Sequence, residues 1–180
     1  MQQSRALILD RDGVINVDKH YVYQKEQVEF IEDIFSLCRA AKRKNYRLIV
    51  TTNQSGIGRG YFTEVDFKKL TDWMQQIFET ENCALDKVYY CPYHPVHGVG
   101  NYRMDSELRK PKPGMILLAA QEFNLYLSNS ISVGDKITDV QAGQSAGVRQ
   151  NFLYTPLQDF LPEKNNVLVI QHLSELEAYL

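Results

Sequence analysis

The chain has 180 residues, with 22 acidic and 20 basic side chains and a formal net charge of −2 at pH 7. This balance excludes the strongly basic field typical of nucleic-acid-binding proteins, and no segment is apolar enough to span a bilayer. We expect one domain over residues 1–180. Three cysteines form no disulfide framework and the N-terminus lacks an apolar signal segment, so we expect a cytoplasmic protein.

Apolar runs typical of strands alternate with segments whose apolar residues repeat at helical spacing. The predicted strands are residues 6–9, 46–51, 87–91, 130–133, 150–154 and 167–170. The predicted helices are residues 33–44, 64–81 and 114–123. Thr63 and Asp66 form a capping arrangement before the second helix. The alternation predicts an α/β fold with a doubly wound, Rossmann-like parallel sheet, whose ligand site lies at the carboxyl ends of the strands.

Two aspartates, Asp10 and Asp12, follow the first predicted strand in the sequence LILDRDGVIN. Because Asp-Gly is a strong turn signal, the pair alone is also compatible with a simple turn. As chemistry, Asp10 is a nucleophile for phosphorus, and Asp12 is a general acid and base two residues away. Carboxylates at the end of a buried strand need positive charge nearby, and Mg²⁺, which prefers oxygen ligands, is the simplest source.

The second predicted strand leads into the polar sequence TTNQSGIGRG, residues 51–60. A polar loop after a strand is common. The functional interpretation is a cradle of hydroxyl and backbone N–H groups for phosphate oxygens, with Arg59 as a mobile cation. The glycine spacing differs from a dinucleotide-binding fingerprint. The motif therefore indicates phosphate binding only in combination with the others.

A basic run broken by prolines, RKPKP, occupies residues 109–113. A solvated surface loop is the simpler interpretation. The alternative is that Lys110 neutralises a transferring phosphoryl group, while Arg109 binds a second phosphate or a sugar oxygen through its planar fork.

The fourth predicted strand ends in GDKITD, residues 134–139. Asp135 and Asp139 are compatible with a turn and a helix cap. If this strand end lies beside Asp10, Asp135 is the third oxygen ligand for Mg²⁺, and Asp139 holds a metal-bound water or Lys136. Without a cation, so many carboxylates would repel one another.

In this order, the motifs resemble those of the haloacid dehalogenase-like phosphatases: Asp-x-Asp, a threonine at a strand end, a lysine, and Gly-Asp-x-x-x-Asp. The segments DRDGVINVD, TNQSGIGRG, RKPKPGM and GDKITDVQAG are similar to those of the D-glycero-D-manno-heptose 1,7-bisphosphate 7-phosphatases, relatives of the bacterial histidinol-phosphate phosphatases. The resemblance covers most of the chain. It implies an essentially capless fold in which loops 16–25, 54–62 and 92–110 shape the pocket.

The resemblance also implies a role for each site residue. Asp10 would be the nucleophile and Asp12 the general acid/base. Asp10, the backbone carbonyl of Asp12, and Asp135 would hold Mg²⁺, with Asp139 behind them in the outer sphere. Thr52 and Lys110 would stabilise the transferring phosphoryl group. The substrate-binding residues would be Asp18, Tyr21, Asn53, Gln54, Ser55, Arg59 and Arg109.

One segment departs from the pattern of this family, many members of which carry a zinc loop of the form Cys-x-His followed by Cys-x-Cys before Arg-Lys-Pro. Here the segment begins CPYH at residue 91 and has SEL at residues 106–108. Cys91, His94 and His97 supply at most three of the four ligands that a tetrahedral structural site needs, so we expect no zinc. The side chains expected to pack the loop instead are Tyr93, Tyr102 and Met104.

The resulting hypothesis is a monomeric, Mg²⁺-dependent phosphatase. It removes the 7-phosphate of heptose 1,7-bisphosphate through an aspartyl-phosphate, in heptose synthesis for lipopolysaccharide or another surface polysaccharide. Histidinol phosphate or another small phosphorylated metabolite is the alternative substrate. The candidate cations for a second phosphate are Arg109, Arg59, Lys112 and Lys19.

Two other classes of protein use similar residues. A receiver domain that stores phosphate on an aspartate is disfavoured by the motif order, because its acceptor ends a middle strand, whereas here the second strand ends in Thr-Thr-Asn. A phosphatase of nucleic-acid ends is disfavoured because the sequence has no stripe of basic and aromatic residues. The expected partner is therefore a small phosphorylated sugar, and neither nucleic acid nor membrane.

Overall fold

A six-stranded parallel sheet forms the centre of the computed structural model, which describes residues 4–156 and 167–180. Its strands are β1 (Arg5–Leu9), β2 (Tyr46–Asn53), β3 (Lys87–Cys91), β4 (Ile131–Gly134), β5 (Gln150–Tyr154) and β6 (Leu168–Ile170). The order across the sheet is β3-β2-β1-β4-β5-β6, and every neighbouring pair is parallel. The chain winds outward from β1 in both directions, which opens a crevice at the carboxyl ends of β1 and β4.

Helices cover both faces of this sheet. They are α1 (Ile34–Arg43), α2 (Ser55–Gly58), α3 (Glu64–Thr80), α4 (Gly114–Phe123) and α5 (Ile137–Ala146). Because side chains alternate along a strand, Leu7 and Leu9 of β1 pack on one face with α1 and α3, while Ala6 and Ile8 pack on the other with α4 and α5. The doubly wound α/β fold predicted from the sequence is confirmed.

Every predicted strand and helix is present, with each boundary within two residues of its predicted position. The predicted cap of α3 is confirmed: Thr63 Oγ1 accepts from the Asp66 N–H at 3.1 Å, and Asp66 Oδ2 accepts from the Thr63 N–H at 2.9 Å. The predicted single domain, 1–180, includes residues 1–3 and 157–166, which lie outside the described residues.

Two helices were missed by the sequence analysis, α2 and α5. The α5 segment carries mainly small residues on its sheet-facing side, so it lacks the bulky periodic pattern of an amphipathic helix. A Cβ at Gly143 would collide with the side chains of Asn151 and Ser132 on neighbouring strands. Small residues therefore let α5 lie close to the sheet.

The two segments that border the crevice contain little regular secondary structure. Residues 10–33 contain one 3-10 turn, Lys25–Gln27, and residues 92–113 contain another, Gly100–Tyr102. These loops border the crevice, as the capless prediction requires. In the described part of the chain, no helix combines the length and apolar character needed to cross a bilayer.

Candidate active site

Three aspartates converge in the crevice between β1 and β4. Asp10 directly follows β1, and its backbone N–H donates to the Val133 carbonyl at 3.0 Å, which keeps the two strand ends in register. Asp135 follows β4, and Asp139 lies in the first turn of α5. One carboxylate oxygen from each aspartate lies within 4.8 Å of the other two. The sheet therefore brings together the carboxylates of two motifs that are far apart in sequence.

A buried lysine completes this cluster. Lys110 is 3 % exposed, and its Nζ lies 3.1 Å from Asp10 Oδ1, 2.6 Å from Asp139 Oδ1 and 2.8 Å from the Thr51 carbonyl. Burial opposes the charged form, but the carboxylates of Asp10 and Asp139 outweigh burial and raise the Lys110 pKa. Lys110 is therefore a fixed ammonium beside the predicted nucleophile. Asp139 binds two groups: its Oδ1 contacts the Lys110 ammonium, and its Oδ2 accepts from the Lys136 backbone N–H.

The negative charge of the three aspartates is only partly neutralised by Lys110. Burial raises the pKa of Asp10 to about 7; Lys110 opposes the rise, and the carboxylates of Asp139 and Asp135 add to it. Asp135 Oδ1 is buried and has no hydrogen-bond partner among the described residues. An unpaired oxygen beside an undercompensated carboxylate fits a hard divalent cation, which takes oxygen ligands.

The Asp12 carboxylate lies within a set of N–H donors. Arg11 donates to both of its oxygens at 2.7–3.2 Å. Asn16 Nδ2 donates to Oδ1 at 3.0 Å and Gln54 Nε2 donates to Oδ2 at 2.9 Å. Sequence reasoning passed over Arg11 because it occupies the variable position of the motif. The signal that could have identified it is an arginine placed between two aspartates at a buried strand end.

The end of β2 contributes Thr52, Asn53 and Gln54, and their polar groups also bind other parts of the protein. The Thr52 hydroxyl accepts from Gln54 Nε2 at 2.8 Å. The Asn53 amide forms two 3.1 Å hydrogen bonds with Lys110, donating to its carbonyl and accepting from its N–H. Asn53, predicted to bind substrate, therefore holds the Lys110 backbone in place, and Gln54, with the same prediction, holds the side chains of Asp12 and Thr52. Ser55 begins α2 beside them.

Most of these residues line a cleft of about 240 Å³ that opens at the carboxyl edge of the sheet. The predicted site residues in its wall are Asp10, Asp12, Asp18, Tyr21, Thr52, Asn53, Gln54, Ser55, Lys110 and Asp139. The residues that the sequence analysis did not assign are His20, Gly56, Lys136 and Thr138. Three predicted site residues, Arg59, Arg109 and Asp135, are not in this wall. The cleft is polar and small enough for a phosphorylated metabolite.

The loop after β1 forms one side of the cleft and is joined to the end of β4 by ion pairs. Lys136 Nζ lies 3.1 Å from Asp18 Oδ2 and 3.2 Å from Asp135 Oδ2. His20 and Tyr21 both have positive φ angles, 57° and 55°. Residues other than glycine rarely adopt this backbone conformation, and those that do are concentrated at functional sites. The His20 N–H donates to Asp18 Oδ1 at 2.9 Å, which helps to hold this conformation.

Among the candidates for binding a second phosphate, two are arginines near the cleft. Arg109 is half-buried and donates to the Tyr93 carbonyl at 3.2 Å, and burial with the nearby Arg59 charge lowers its pKa. Arg59 Nε is buried and has no partner among the described residues. The lysine candidates are paired already: Lys19 lies 2.8 Å from Glu29, and Lys112 lies 3.0 Å from both Asp105 and Glu107.

The loop expected to lack zinc is organised by aromatic and polar contacts. The Tyr93 and Tyr102 rings lie 6.0 Å apart, and the Tyr102 hydroxyl donates to Glu64 at 2.8 Å. The prediction that Met104 packs the loop is wrong, because this side chain is 42 % exposed. Across residues 4–156 and 167–180, the aspartate cluster is the only group of three or more His, Cys, Asp or Glu side chains close enough to share an ion, so Cys91, His94 and His97 form no such group.

Comparison with known proteins agrees with the geometry. A family model described as HAD-hydrolase-like, for haloacid dehalogenase-like hydrolases, matches residues 107–155. The D-glycero-alpha-D-manno-heptose-1,7-bisphosphate 7-phosphatase of Burkholderia mallei is 54 % identical over 151 residues, covering 84 % of this chain and 80 % of the relative. The chain belongs to the heptose-1,7-bisphosphate 7-phosphatase family.

Other members of the heptose-1,7-bisphosphate 7-phosphatase family match over greater lengths. The Escherichia coli K12 enzyme, named for the beta anomer, is 40 % identical over 173 residues and covers 95 % of this chain and 91 % of its own. The crystal structure of D,D-heptose 1,7-bisphosphate phosphatase from B. bronchiseptica, complexed with magnesium and phosphate, superposes with a TM-score of 0.81. It is 26 % identical and covers 97 % of this chain and 96 % of its own.

Proposed function

We propose that this protein is a Mg²⁺-dependent phosphatase that hydrolyses the 7-phosphate of D-glycero-D-manno-heptose 1,7-bisphosphate. The contact of Lys110 with Asp10 in the buried aspartate cluster is the observation that carries the chemistry. The assignment of the substrate is supported by relatives that are named for this reaction and are 40–54 % identical to this chain over the aligned residues. The product enters the synthesis of a surface polysaccharide in this proposal.

In the first half-reaction, a carboxylate oxygen of Asp10 attacks phosphorus and the bond from phosphorus to the sugar oxygen breaks. Asp12 gives a proton to that oxygen as it leaves. In the second half-reaction, Asp12 takes a proton from water, the water oxygen attacks phosphorus, and the bond to Asp10 breaks to release phosphate. Lys110 and the Thr52 hydroxyl stabilise the phosphoryl oxygens in both steps.

We assign the protein ligands of Mg²⁺ as the carboxylates of Asp10 and Asp135 and the backbone carbonyl of Asp12. The unpaired, buried Asp135 Oδ1 supports this assignment. When bound, Mg²⁺ would neutralise the carboxylates and polarise the phosphoryl group. Asp139 contacts Lys110 at 2.6 Å and therefore orients the ammonium from the outer sphere.

A bisphosphate carries a second anionic group, and we assign its recognition to Arg59 and Arg109. The unpartnered Arg59 Nε and the proximity of the two guanidinium groups support this assignment, since a dianion between them would relieve their repulsion. Asp18 and Tyr21 contact the sugar from the opposite loop in this proposal. Because Lys19 and Lys112 form ion pairs, they are the weaker candidates.

Phosphate release tests the proposal, measured with and without Mg²⁺ on both anomers of heptose 1,7-bisphosphate and on histidinol phosphate. We expect multiple turnovers on the bisphosphate, a much lower kcat/KM on histidinol phosphate, and no release in EDTA. A preference for histidinol phosphate would reassign the substrate. Release of one equivalent or less per protein would indicate a phosphate-storing receiver domain and refute the enzyme.

A further inference from the structure

We propose that Arg11, the residue between the two motif aspartates, is a positioning residue that fixes the Asp12 carboxylate for proton transfer. The inference rests on the proposed function, because it takes Asp12 as the acid and base. Both partners are sheltered from water: the Arg11 side chain is 3 % exposed and the Asp12 side chain 18 %. A partly buried ion pair of this kind is screened by solvent much less than a surface pair.

Two N–H donors of the Arg11 guanidinium, Nε and Nη2, form a fork in which each donor is shared between both Asp12 carboxylate oxygens. Arg11 Nε lies 3.2 and 3.1 Å from the two Asp12 oxygens, and Nη2 lies 3.0 and 2.7 Å from the same two atoms. Because one rigid guanidinium carries both donors, such a contact restricts the rotation of a carboxylate as well as its position. A lysine at this position would keep the charge but lose the orientation.

Groups outside the motif in turn hold Arg11. Its Nη2 also donates to the Val22 carbonyl at 2.8 Å and to Gln54 Oε1 at 3.3 Å. Its guanidinium lies 5.7 Å from the centre of the Phe67 ring. These contacts tie the fork to the loop after β1, the end of β2 and helix α3, so the Asp12 carboxylate takes its position from three elements of the fold.

Gln54 extends the network to the phosphate-binding hydroxyl. Its Oε1 accepts from Arg11, while its Nε2 donates to Asp12 at 2.9 Å and to Thr52 Oγ1 at 2.8 Å. An amide offers one acceptor and two donors here, so these contacts determine its orientation. The acid/base and the phosphate-binding hydroxyl are therefore linked by one side chain, whose contact with Thr52 does not pass through Arg11.

The consequence for the reaction depends on the leaving group. A sugar oxygen is a poor leaving group and needs the Asp12 proton as its bond to phosphorus breaks, whereas nitrophenolate leaves without one. A misplaced acid therefore slows the cleavage of a sugar phosphate and spares the cleavage of an aryl phosphate. General loss of the fold or of phosphate binding slows both.

The test is the Arg11→Lys variant, with kcat/KM measured on a sugar phosphate and on p-nitrophenyl phosphate at saturating Mg²⁺. This parameter reports the steps up to formation of the aspartyl-phosphate, so the second half-reaction does not enter. We expect a loss of about 10²-fold on the sugar phosphate and less than about threefold on the aryl phosphate. Asp12→Asn should show the same selectivity. The matched control is Arg39→Lys, a partly exposed arginine paired with Glu81 at 2.9 Å, which should change neither value.

Equal losses on the two substrates, or no loss on either, overturn the proposal. Arg11→Gln provides a second route if Arg11→Lys fails to fold, because it also removes the guanidinium and leaves the Gln54 contact with Thr52 in place; a loss without leaving-group selectivity there would also overturn it. The affinity for Mg²⁺, measured by calorimetry, should stay within about twofold of wild type, since the fork contacts the Asp12 carboxylate and not its carbonyl. Failure of the proposed function has a different signature: wild-type protein would cleave other phosphate esters but not heptose bisphosphate.

Discussion

Replacing Lys110 with methionine removes the buried ammonium that lies between Asp10 and Asp139. Its Nζ contacts three acceptors at 2.6–3.1 Å, including the Thr51 carbonyl, and the side chain is 2 % exposed. Methionine has a similar length and fills the space, so the change isolates the loss of charge. Two buried carboxylates then lack a counter-ion, and removing one partner of a buried pair costs about 3–5 kcal/mol of unfolding free energy.

For a chain of this size, that loss lowers the melting temperature by about 6–20 °C. We would measure it by urea and thermal denaturation in EDTA, and again with Mg²⁺, which should restore part of the stability by binding the native state. The matched control is Lys112→Met, two residues along the same loop, whose partners Asp105 and Glu107 are exposed. The control should change the unfolding free energy by less than about 1 kcal/mol.

Turnover gives the second readout for Lys110→Met. Loss of a fixed cation beside the transferring phosphoryl group should lower kcat by about 10³-fold, while Lys112→Met keeps near wild-type activity. The result that would refute this electrostatic explanation is an unfolding free energy of Lys110→Met in EDTA within about 1 kcal/mol of the wild-type value. The Asp10 and Asp139 carboxylates would then not depend on this ammonium.

Three further perturbations test other parts of the structure. Asp10→Asn should abolish phosphate release yet leave the circular dichroism spectrum and melting temperature close to wild type; residual turnover near the wild-type rate would refute the nucleophile. Arg109→Met should raise KM for a sugar bisphosphate by about tenfold but hardly change KM for a monophosphate, since only the bisphosphate has a second phosphate to bind; equal effects would remove Arg109 from that role. Although burial opposes it, contacts with Lys42 and Arg47 hold the pKa of Asp86 below its usual value. Asp86→Asn should therefore lower the unfolding free energy by about 1–2 kcal/mol at pH 7, and the difference should disappear as the pH falls through the depressed pKa; a difference that persists in acid would refute the ion-pair explanation.

The sequence predicted the elements whose side chains follow a strong pattern. The strand at 87–91 and the helix at 114–123 have the predicted bounds because each is an apolar run with a distinct boundary, Asp86 and Pro92 for the strand and Pro113 for the helix. Helix α5 was missed because a close approach to the sheet requires small residues such as Gly143, which carry no periodic signal. Its position near the site became visible only in three dimensions.

The residues of the candidate site also differ in whether the sequence could predict them. Asp10, Lys110 and Asp135 could be predicted because they stand at strand ends or in short motifs, where parallel strands bring them together. The role of Arg11 could not, since it depends on a fork that reaches Asp12 and on contacts with Val22, far from any motif. Packing contacts of this kind are set by the tertiary structure, and local spacing does not encode them.

The pair of hydrogen bonds between the Asn53 amide and the Lys110 backbone has an evolutionary consequence. The amide holds that peptide as an adjacent strand would, so the position of the ammonium depends on β2 rather than on the loop that precedes it. We therefore expect that a change in the length of the intervening residues, 92–108, leaves the position of the Lys110 backbone unchanged. Sequence changes in this loop would then alter the border of the cleft and leave Lys110 beside Asp10.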